Sequence, residues 1–265
     1  MVEHVTSSDG SSIAFEAAGS GDPLLIIGGA LSNRHAVQPY VPFLQDAFTV
    51  YGLDRRGRGE STDTQPYAVD REIEDIAAVV QAIGGNVAVY GHSSGAILAL
   101  EAAAAGVPFS GILAYEPPYC TPQDPDEPWD AFAQRVQQLV ENDQRDQAVQ
   151  AFMAHVGAPT DPDMVKAPWW PQLTAVAHTL FYDLHIVGDA VVPQERLARI
   201  KAPVLVVHGG NSPAWAQQSA REVAAAVQHG STAELEDQTH NADPAALAPL
   251  LLEFLAPNTN SKAKH

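Results

Sequence analysis

The pentapeptide Gly-His-Ser-Ser-Gly at residues 91–95 is the stretch of this sequence with the clearest capacity for chemistry. A short apolar run with two valines, residues 86–90, precedes it, and strong helix formers follow it over residues 96–104. Gly-x-Ser-x-Gly between a strand and a helix is the nucleophile-elbow pattern, in which a tight turn exposes the serine hydroxyl. The pattern predicts that Ser93 is a nucleophile, although an ordinary glycine-flanked turn would have the same letters.

A serine hydroxyl attacks a carbonyl group efficiently only when a base takes its proton and donors hold the resulting oxyanion. His240 follows the last predicted strand and precedes the last predicted helix, which is where the base belongs on an open α/β sheet. The N–H of Ser94 is one expected oxyanion donor, and the N–H of Gly29 or Ala30 is the other. Each signal is weak alone, because a surface histidine or a plain glycine turn would look the same.

The elements that must position these residues alternate between strands and helices. Such an alternation predicts an α/β fold whose mostly parallel central sheet is covered by helices on both faces. It is interrupted once, so we expect a discontinuous core of residues 1–116 and 196–256. The apolar runs of strand length include residues 24–27, 48–53, 86–90, 111–115 and 203–207.

Residues 117–195 interrupt the alternation and are predicted to form a helical cap over the carboxyl ends of the strands. Prolines exclude regular structure for about a dozen residues at its start. Amphipathic spacing then predicts a helix over residues 129–155, which the acidic and amide-rich stretch 141–144 could divide in two, and another over 170–187. The polar residues 257–265 are expected to be a disordered tail.

Composition limits the partners of the chain. With 32 acidic and 14 basic residues, the formal net charge is −18, which disfavours nucleic acid and anionic membrane surfaces. A single cysteine, Cys120, excludes an internal disulfide framework and is typical of a reducing compartment. The sequence has no secretory signal pattern and no apolar run long enough to span a membrane, so we expect a cytoplasmic protein. A homodimer is compatible with these observations.

Taken together, four features resemble the α/β-hydrolase superfamily over about residues 2–256. They are the elbow, the turn Asp-Arg-Arg-Gly-Arg-Gly-Glu-Ser at residues 54–61, the helical insertion and the late His240. The resemblance implies a hydrolase that needs no metal or other cofactor and acts on a small molecule. It also implies that the turn is structural, with Asp54 and Arg56 as scaffold residues rather than catalytic ones.

The triad acid departs from the common pattern of this superfamily. Members usually place it shortly after the strand at residues 203–207, where this chain has Ser212. The alternative is Glu116, at the end of the preceding strand, where Pro117 biases the backbone towards an extended conformation. An acid at this position is similar to that of the zearalenone-type lactonases.

Other assignments of the acid stay open at this point. Glu116 could be a solvated carboxylate at the cap hinge, and Asp237 lies three residues before His240. Asp243 precedes Pro244 and is better placed to cap the last helix. A Ser–His dyad without an acid is the remaining alternative, at a large cost in rate.

The cap is expected to select the substrate, because it contains many large apolar and aromatic side chains that could cover Ser93. Some of them will form the interior of the cap itself. The predicted substrate pocket comprises Leu31, Trp129, Met153, Trp169, Trp170, His178, Phe181 and Tyr182.

These residues together predict a serine hydrolase that cleaves a carboxylic ester or lactone through an acyl-enzyme, with Ser93, His240 and Glu116 as its triad. A carbon–carbon hydrolase or a perhydrolase would use the same triad. A non-catalytic small-molecule-binding homologue is favoured only by the missing acid at Ser212. The serine at the elbow argues against haloalkane dehalogenases and epoxide hydrolases, which use an aspartate nucleophile in this fold.

Overall fold

An eight-stranded sheet with the order β1-β2-β4-β3-β5-β6-β7-β8 forms the centre of the molecule in a computed structural model that describes residues 1–122 and 127–256. β1 and β2 pair antiparallel, as do β2 and β4, and all other neighbours are parallel. The predicted fold class is therefore confirmed. The strands are β1 Glu3–Thr6, β2 Ser12–Gly19, β3 Asp22–Ile27, β4 Phe48–Leu53, β5 Val87–His92, β6 Phe109–Tyr115, β7 Val204–Gly209 and β8 Gly230–Leu235.

Helices cover both faces of this sheet, which explains why its central strands are continuous apolar runs. Side chains alternate along a strand, so β3 places Leu25 and Ile27 on one face and Leu24 and Ile26 on the other, and all four are buried. The helices are α1 Val41–Leu44, α2 Val69–Ile83, α3 Ser94–Ala104, α4 Trp129–Glu141, α5 Arg145–His155, α6 Trp170–Ala175, α7 Leu180–Val187, α8 Gln194–Leu197, α9 Ala214–Ala226 and α10 Pro244–Leu255.

The segment between β6 and β7 contains α4 to α8 and, within its described residues, no strand. Helices α4 to α7 share their own apolar cluster, which includes Phe132, Val149, Trp170 and Leu180. The predicted helix over 129–155 is divided between α4 and α5, at the stretch that the sequence had suggested. The expected tail, residues 257–265, lies outside the described residues.

The single helix predicted over 170–187 is wrong. The structure has α6, then a 3-10 turn at Ala177–Thr179, then α7. The Thr179 hydroxyl donates to the carbonyl of Val176 at 2.8 Å, and the Thr174 hydroxyl donates to the carbonyl of Pro171 at 3.2 Å. Such local side-chain bonds compete with the regular helical pattern. In the described residues, no helix is both long and apolar enough to cross a membrane.

Candidate active site

Ser93 occupies a strained turn between β5 and α3, with φ 56° and ψ −125°. A non-glycine residue adopts this conformation only when the surrounding structure enforces it. The two flanking glycines are sterically required, because a Cβ on Gly95 would lie 2.2 Å from the carbonyl oxygen of Ile27 and one on Gly91 would lie 2.6 Å from Ala96 Cα. The sequence thus folds locally into an elbow that presents the Ser93 side chain to a cavity.

His240 lies in the loop between β8 and α10 and lines the same cavity as Ser93. Its Nδ1–H donates to Glu116 Oε2 at 2.7 Å. Because that bond places the proton on Nδ1, Nε2 of the neutral ring has a free lone pair and can accept a proton. The ring is therefore oriented for general-base chemistry beside Ser93.

Glu116 is fully buried at the end of β6, and its Oε1 accepts the N–H of Gly209 at 2.7 Å. Burial favours the neutral acid, but the hydrogen bonds from His240 and Gly209 outweigh it and hold the pKa of the Glu116 carboxyl below its usual value. The nearby Ser212 hydroxyl also favours the charged form of Glu116. Its geometry, however, does not meet the criteria for a hydrogen bond to any described residue. A carboxylate whose charged form is favoured in this way can stabilise an imidazolium ring.

The other candidate acids lie elsewhere. Asp237 is exposed to solvent. Asp243 Oδ1 accepts the N–H of Ala245 at 2.8 Å and so caps the N-terminus of α10. The carboxylate that is bonded to His240 is that of Glu116.

The orientation of the loop after β3 decides which of its two candidates, the N–H of Gly29 or that of Ala30, is better placed to hold the oxyanion. The carbonyl of Gly29 accepts hydrogen bonds from Arg58 at 2.8 Å and from the Ser32 hydroxyl at 2.6 Å. In a trans peptide the next N–H points the opposite way, which turns the N–H of Ala30 away from Arg58, and Ala30 lines the cavity. Ala30, rather than Gly29, is thus the better placed partner for Ser94, the first residue of α3.

Gly29 itself has a steric role. A Cβ at this position would lie 2.9 Å from Ser93 Cβ, closer than real side chains approach. Glycine therefore lets the loop come against the elbow.

A cavity of about 360 Å³ opens above Ser93 and His240. Its walls are mainly apolar and come from the segment between β6 and β7 and from the loop after β7. Among its described lining residues, the ionisable ones are Asp183, His155 and His240. The large apolar lining residues are Trp129, Phe152, Val156, Leu184, Val187 and Trp215.

Most of the predicted pocket residues lie outside this cavity, so that part of the prediction is wrong. Trp129 lines it, but Trp170 is buried in the interior of the helical segment, where its indole N–H donates to Asp146. Trp169 is 42% exposed at the surface. Leu31 and Met153 pack against the apolar cluster of α4 to α7.

The three remaining residues of that prediction, His178, Phe181 and Tyr182, lie outside the cavity because their side chains contact other parts of the structure. Tyr182 stacks on Tyr67 with ring centroids 3.9 Å apart, and Phe181 packs edge-on against a neighbouring histidine of α7. His178 donates from Nε2 to the carbonyl of Gly57 at 2.7 Å. On α7, residues 183, 184 and 187 share the face that borders the cavity, as helical spacing requires.

Sequence reasoning missed several cavity residues, which include Phe152, His155, Val156, Asp183, Leu184, Val187 and Trp215. For Trp215 a signal existed, because it lies in the first turn of the helix that follows β7, and the segments after the carboxyl ends of parallel strands meet at one edge of the sheet. For the others, only the packing of the helices decides which face is turned inwards.

His92, the variable residue of the elbow, supports the loop that contains His240. Its Nε2–H donates to the carbonyl of His240 at 2.8 Å, and the Tyr115 hydroxyl donates to the neighbouring carbonyl of Thr239 at 2.6 Å. Burial, followed by the nearby His240, lowers the pKa of His92 to about 4. His92 is therefore neutral at physiological pH and acts as a fixed donor.

This shift predicts how stability depends on pH. Unfolded His92 takes up a proton as pH falls below about 6.5 whereas the folded ring does so only near 4, so protonation favours unfolding between these values. The difference between 6.5 and 4 corresponds to about 3 kcal/mol of unfolding free energy. This is an upper bound, because the His92 ring is partly exposed to solvent. We expect His92→Gln, which keeps a donor, to flatten the fall in unfolding free energy measured in urea from pH 6.5 to 4. The exposed His229→Gln is the matched control, and parallel curves for wild type and His92→Gln would contradict the interpretation.

The turn at residues 54–61 is tied into the scaffold by buried ion pairs. Arg56 donates to both carboxylate oxygens of Asp75, at 2.8 and 2.9 Å, and Asp54 accepts the backbone N–H groups of Arg34 and Glu60. Among the described residues, no cluster of three or more His, Cys, Asp or Glu side chains is arranged to hold a metal ion.

Comparisons with known proteins agree with this geometry. The model of the Alpha/beta hydrolase family matches residues 24–250. A bifunctional esterase/perhydrolase from Acinetobacter calcoaceticus is 29% identical over 223 residues, which cover 78% of this chain and 80% of the relative. The crystal structure of an alpha/beta hydrolase from Sphaerobacter thermophilus is 46% identical with a TM-score of 0.86, and the match covers 95% of this chain and 99% of that one. An esterase from Exiguobacterium antarcticum, at 20% identity and a TM-score of 0.77 over 96% and 98% of the two chains, shows the same fold.

Proposed function

The chain belongs to the alpha/beta hydrolase family, and on this basis we propose that it is a serine hydrolase that cleaves carboxylic esters or lactones through an acyl-enzyme. The observation that carries the proposal is the 2.7 Å hydrogen bond from His240 Nδ1 to the buried Glu116 carboxylate, because His240 lines the same cavity as Ser93. This pair gives a serine nucleophile the oriented base that it needs.

In the proposed mechanism, Ser93 Oγ attacks the carbonyl carbon while its proton passes to His240 Nε2. Glu116 stabilises the imidazolium ring, and the N–H groups of Ala30 and Ser94 hold the oxyanion. Collapse of the tetrahedral intermediate breaks the bond to the alcohol oxygen, which takes the proton from His240. Water then repeats the sequence on the acyl-enzyme, and the carboxylic acid leaves as Ser93 recovers its proton.

The cavity indicates the substrate class within this reaction. Its walls are mainly apolar, and no lysine or arginine is among its described lining residues. The formal net charge of −18 also disfavours approach of anions. We therefore propose neutral esters or lactones with apolar acyl groups as substrates, residues 117–195 serving as the selecting cap.

This preference can be tested with a neutral aryl butyrate and the matching aryl monoester of succinate. We expect kcat/KM of the wild type to be at least about 10-fold higher for the butyrate. Val156 lines the cavity and is 51% exposed, so Val156→Lys should be tolerated and should improve kcat/KM for the succinate monoester about 1.5- to 5-fold, the size expected for one partly solvated charge pair. Val191, which is 63% exposed and lies outside the cavity lining, offers Val191→Lys as a control. A wild type that prefers the succinate monoester would refute the assigned class.

Perhydrolysis is a second candidate function, favoured by the similarity to the Acinetobacter calcoaceticus esterase/perhydrolase. Hydrogen peroxide would replace water as the second nucleophile, so that the acyl-enzyme releases a peracid and regenerates Ser93. Peracid formed from an ester and peroxide, measured beside simple ester hydrolysis, tests it. A carbon–carbon hydrolase would use the same triad and is tested by turnover of a β-diketone.

A serine-directed phosphonate tests for a nucleophile regardless of substrate. The expected result is a single covalent adduct at Ser93, seen in the intact mass and located by peptide mapping. If neither an adduct nor turnover of any simple ester were found, the chain would have to be a binding protein on a hydrolase fold.

A further inference from the structure

The proposed mechanism leaves one buried carboxylate of the cavity without a role. Asp183 lies on α7, is 2% exposed and still contributes to the cavity lining. Its Oδ1 accepts hydrogen bonds from the Ser94 hydroxyl at 2.7 Å and from Arg55 at 2.8 Å. Its Oδ2 accepts one from Arg58 at 2.7 Å. Asp183 therefore connects the helical segment directly to the elbow and to the turn at residues 54–61.

The charges of this cluster are balanced, which is what permits their burial. Arg55 also donates to both oxygens of Glu72, each at 2.7 Å, so that two arginines face two carboxylates. Burial disfavours the ionised acid, but Arg58 and Arg55 outweigh it and lower the pKa of Asp183. Charge-assisted bonds of this kind hold their partners in a defined geometry. A cluster held in this way can fix neighbouring backbone.

The neighbouring backbone is that of the two candidate oxyanion donors. Asp183 holds the hydroxyl of Ser94, whose own N–H is one donor. It also holds Arg58, which donates to the carbonyl of Gly29 and thereby sets the plane of the peptide that bears the Ala30 N–H. The Asp183 side chain is thus bonded directly to the hydroxyl of Ser94. It is connected to the Gly29–Ala30 peptide through Arg58.

We propose that Asp183 is a positioning residue that aligns the N–H groups of Ala30 and Ser94 for the oxyanion. The inference rests on the proposed acyl-transfer function and adds to it the part played by α7. Because Asp183 and the cavity wall residues Leu184 and Val187 lie on one helix, the shape of the cavity wall and the alignment of the oxyanion donors depend on the same element. Removing the alignment should weaken binding of the tetrahedral state and leave ground-state binding intact.

Asp183→Asn is the direct test, because it keeps the size of the side chain and removes its charge. With an aryl butyrate, we expect kcat to fall about 10- to 100-fold and KM to stay within about threefold, since a misplacement of about 1 Å can reduce the rate 100-fold. An aryl boronic acid forms a tetrahedral adduct with Ser93, so its inhibition constant should rise by a factor similar to the fall in kcat.

Asp75→Asn is the matched control. Asp75 is 2% exposed and forms a bidentate pair with Arg56 of the same turn, and the hydrogen bonds that the structure shows for this pair do not include Gly29 or Ser94. It should lower thermal stability as Asp183→Asn does while leaving kcat and the boronate inhibition constant within about threefold. A general loss of stability would affect both variants equally.

The outcomes separate the alternatives. A rise in KM with unchanged kcat would make Asp183 a substrate-binding wall residue, and unchanged kinetics would make it purely structural; either result overturns the proposal. If Asp183→Asn does not fold, Ser94→Ala decides, with an expected 3- to 10-fold fall in kcat and a matching loss of boronate affinity, and unchanged values would again overturn it. A wild type that neither turns over esters nor binds the boronate refutes the proposed function itself.

Discussion

Replacing Ser93 by alanine is expected to reduce kcat/KM for an aryl butyrate by about 10⁵- to 10⁶-fold. The reason is that the acyl-enzyme cannot form without the hydroxyl, while the oxyanion donors and the cavity still bind the substrate. The residual rate should therefore still exceed that of the buffer. Initial rates at several enzyme concentrations measure it, and the circular dichroism spectrum and melting temperature should resemble those of the wild type.

The control for Ser93→Ala is a serine that lies far from the cavity. Ser231 is exposed on β8, where its hydroxyl donates to the carbonyl of Val204 at 3.3 Å, so Ser231→Ala should keep full activity and phosphonate labelling. Ser93→Ala should lose the labelling completely. Activity above about one tenth of wild type in a pure, folded preparation of Ser93→Ala would assign the nucleophile to another residue.

The elbow and the sheet could be predicted from the sequence because both depend on local signals. Apolar runs such as residues 24–27 leave few alternatives to a strand that is buried on both faces. The conformation of Ser93 likewise follows from Gly91 and Gly95, whose missing side chains are visible in the sequence. In these parts, propensity, pattern and steric need all point to the same structure.

The substrate cavity could not be predicted in this way, because composition does not determine which face of a helix is turned inwards. Phe181 and Tyr182 are as large and apolar as a pocket residue should be, yet they face away, and Asp183 and Leu184 face the cavity. The orientation of α7 is set by the buried pairs of Asp183 with Arg55 and Arg58, more than 120 residues earlier in the chain. Such long-range contacts leave no periodic pattern in the sequence.

The position of the acid was an intermediate case. The sequence offered Glu116, Asp237 and Asp243, and the structure brings Glu116 to His240 because β6 and β7 are neighbours in the sheet. The end of β6 therefore lies beside Gly209, close to the loop that contains His240. The extended conformation that Pro117 predicts for Glu116 is wrong: the φ of Glu116 is 45°, a locally strained conformation that accompanies its placement beside Gly209.

Replacing Glu116 by glutamine is expected to lower kcat about 10⁴-fold with little change in KM. Glutamine has nearly the same shape, and its amide oxygen can still accept the N–H of Gly209. Its amide NH₂ would then face His240 Nδ1 and favour the tautomer that bears the proton on Nε2, which cannot take the proton of Ser93. The substitution also removes the negative charge that stabilises the imidazolium ring. Steady-state kinetics with an aryl butyrate from pH 6 to 9 measure the loss.

Two control substitutions distinguish the role of Glu116 as the triad acid from a general effect on the loop that contains His240. Ser212→Ala removes the hydroxyl at the position where the acid is usual, and Asp237→Asn neutralises the exposed alternative acid; both should change kcat less than about threefold. Glu116→Asp keeps the negative charge but shortens the side chain. It should be faster than Glu116→Gln if the charge matters more than the length of the side chain. If Glu116→Gln turned over at the wild-type rate while Asp237→Asn did not, the acid would be Asp237, and the buried bond to Glu116 would serve only to fix the loop.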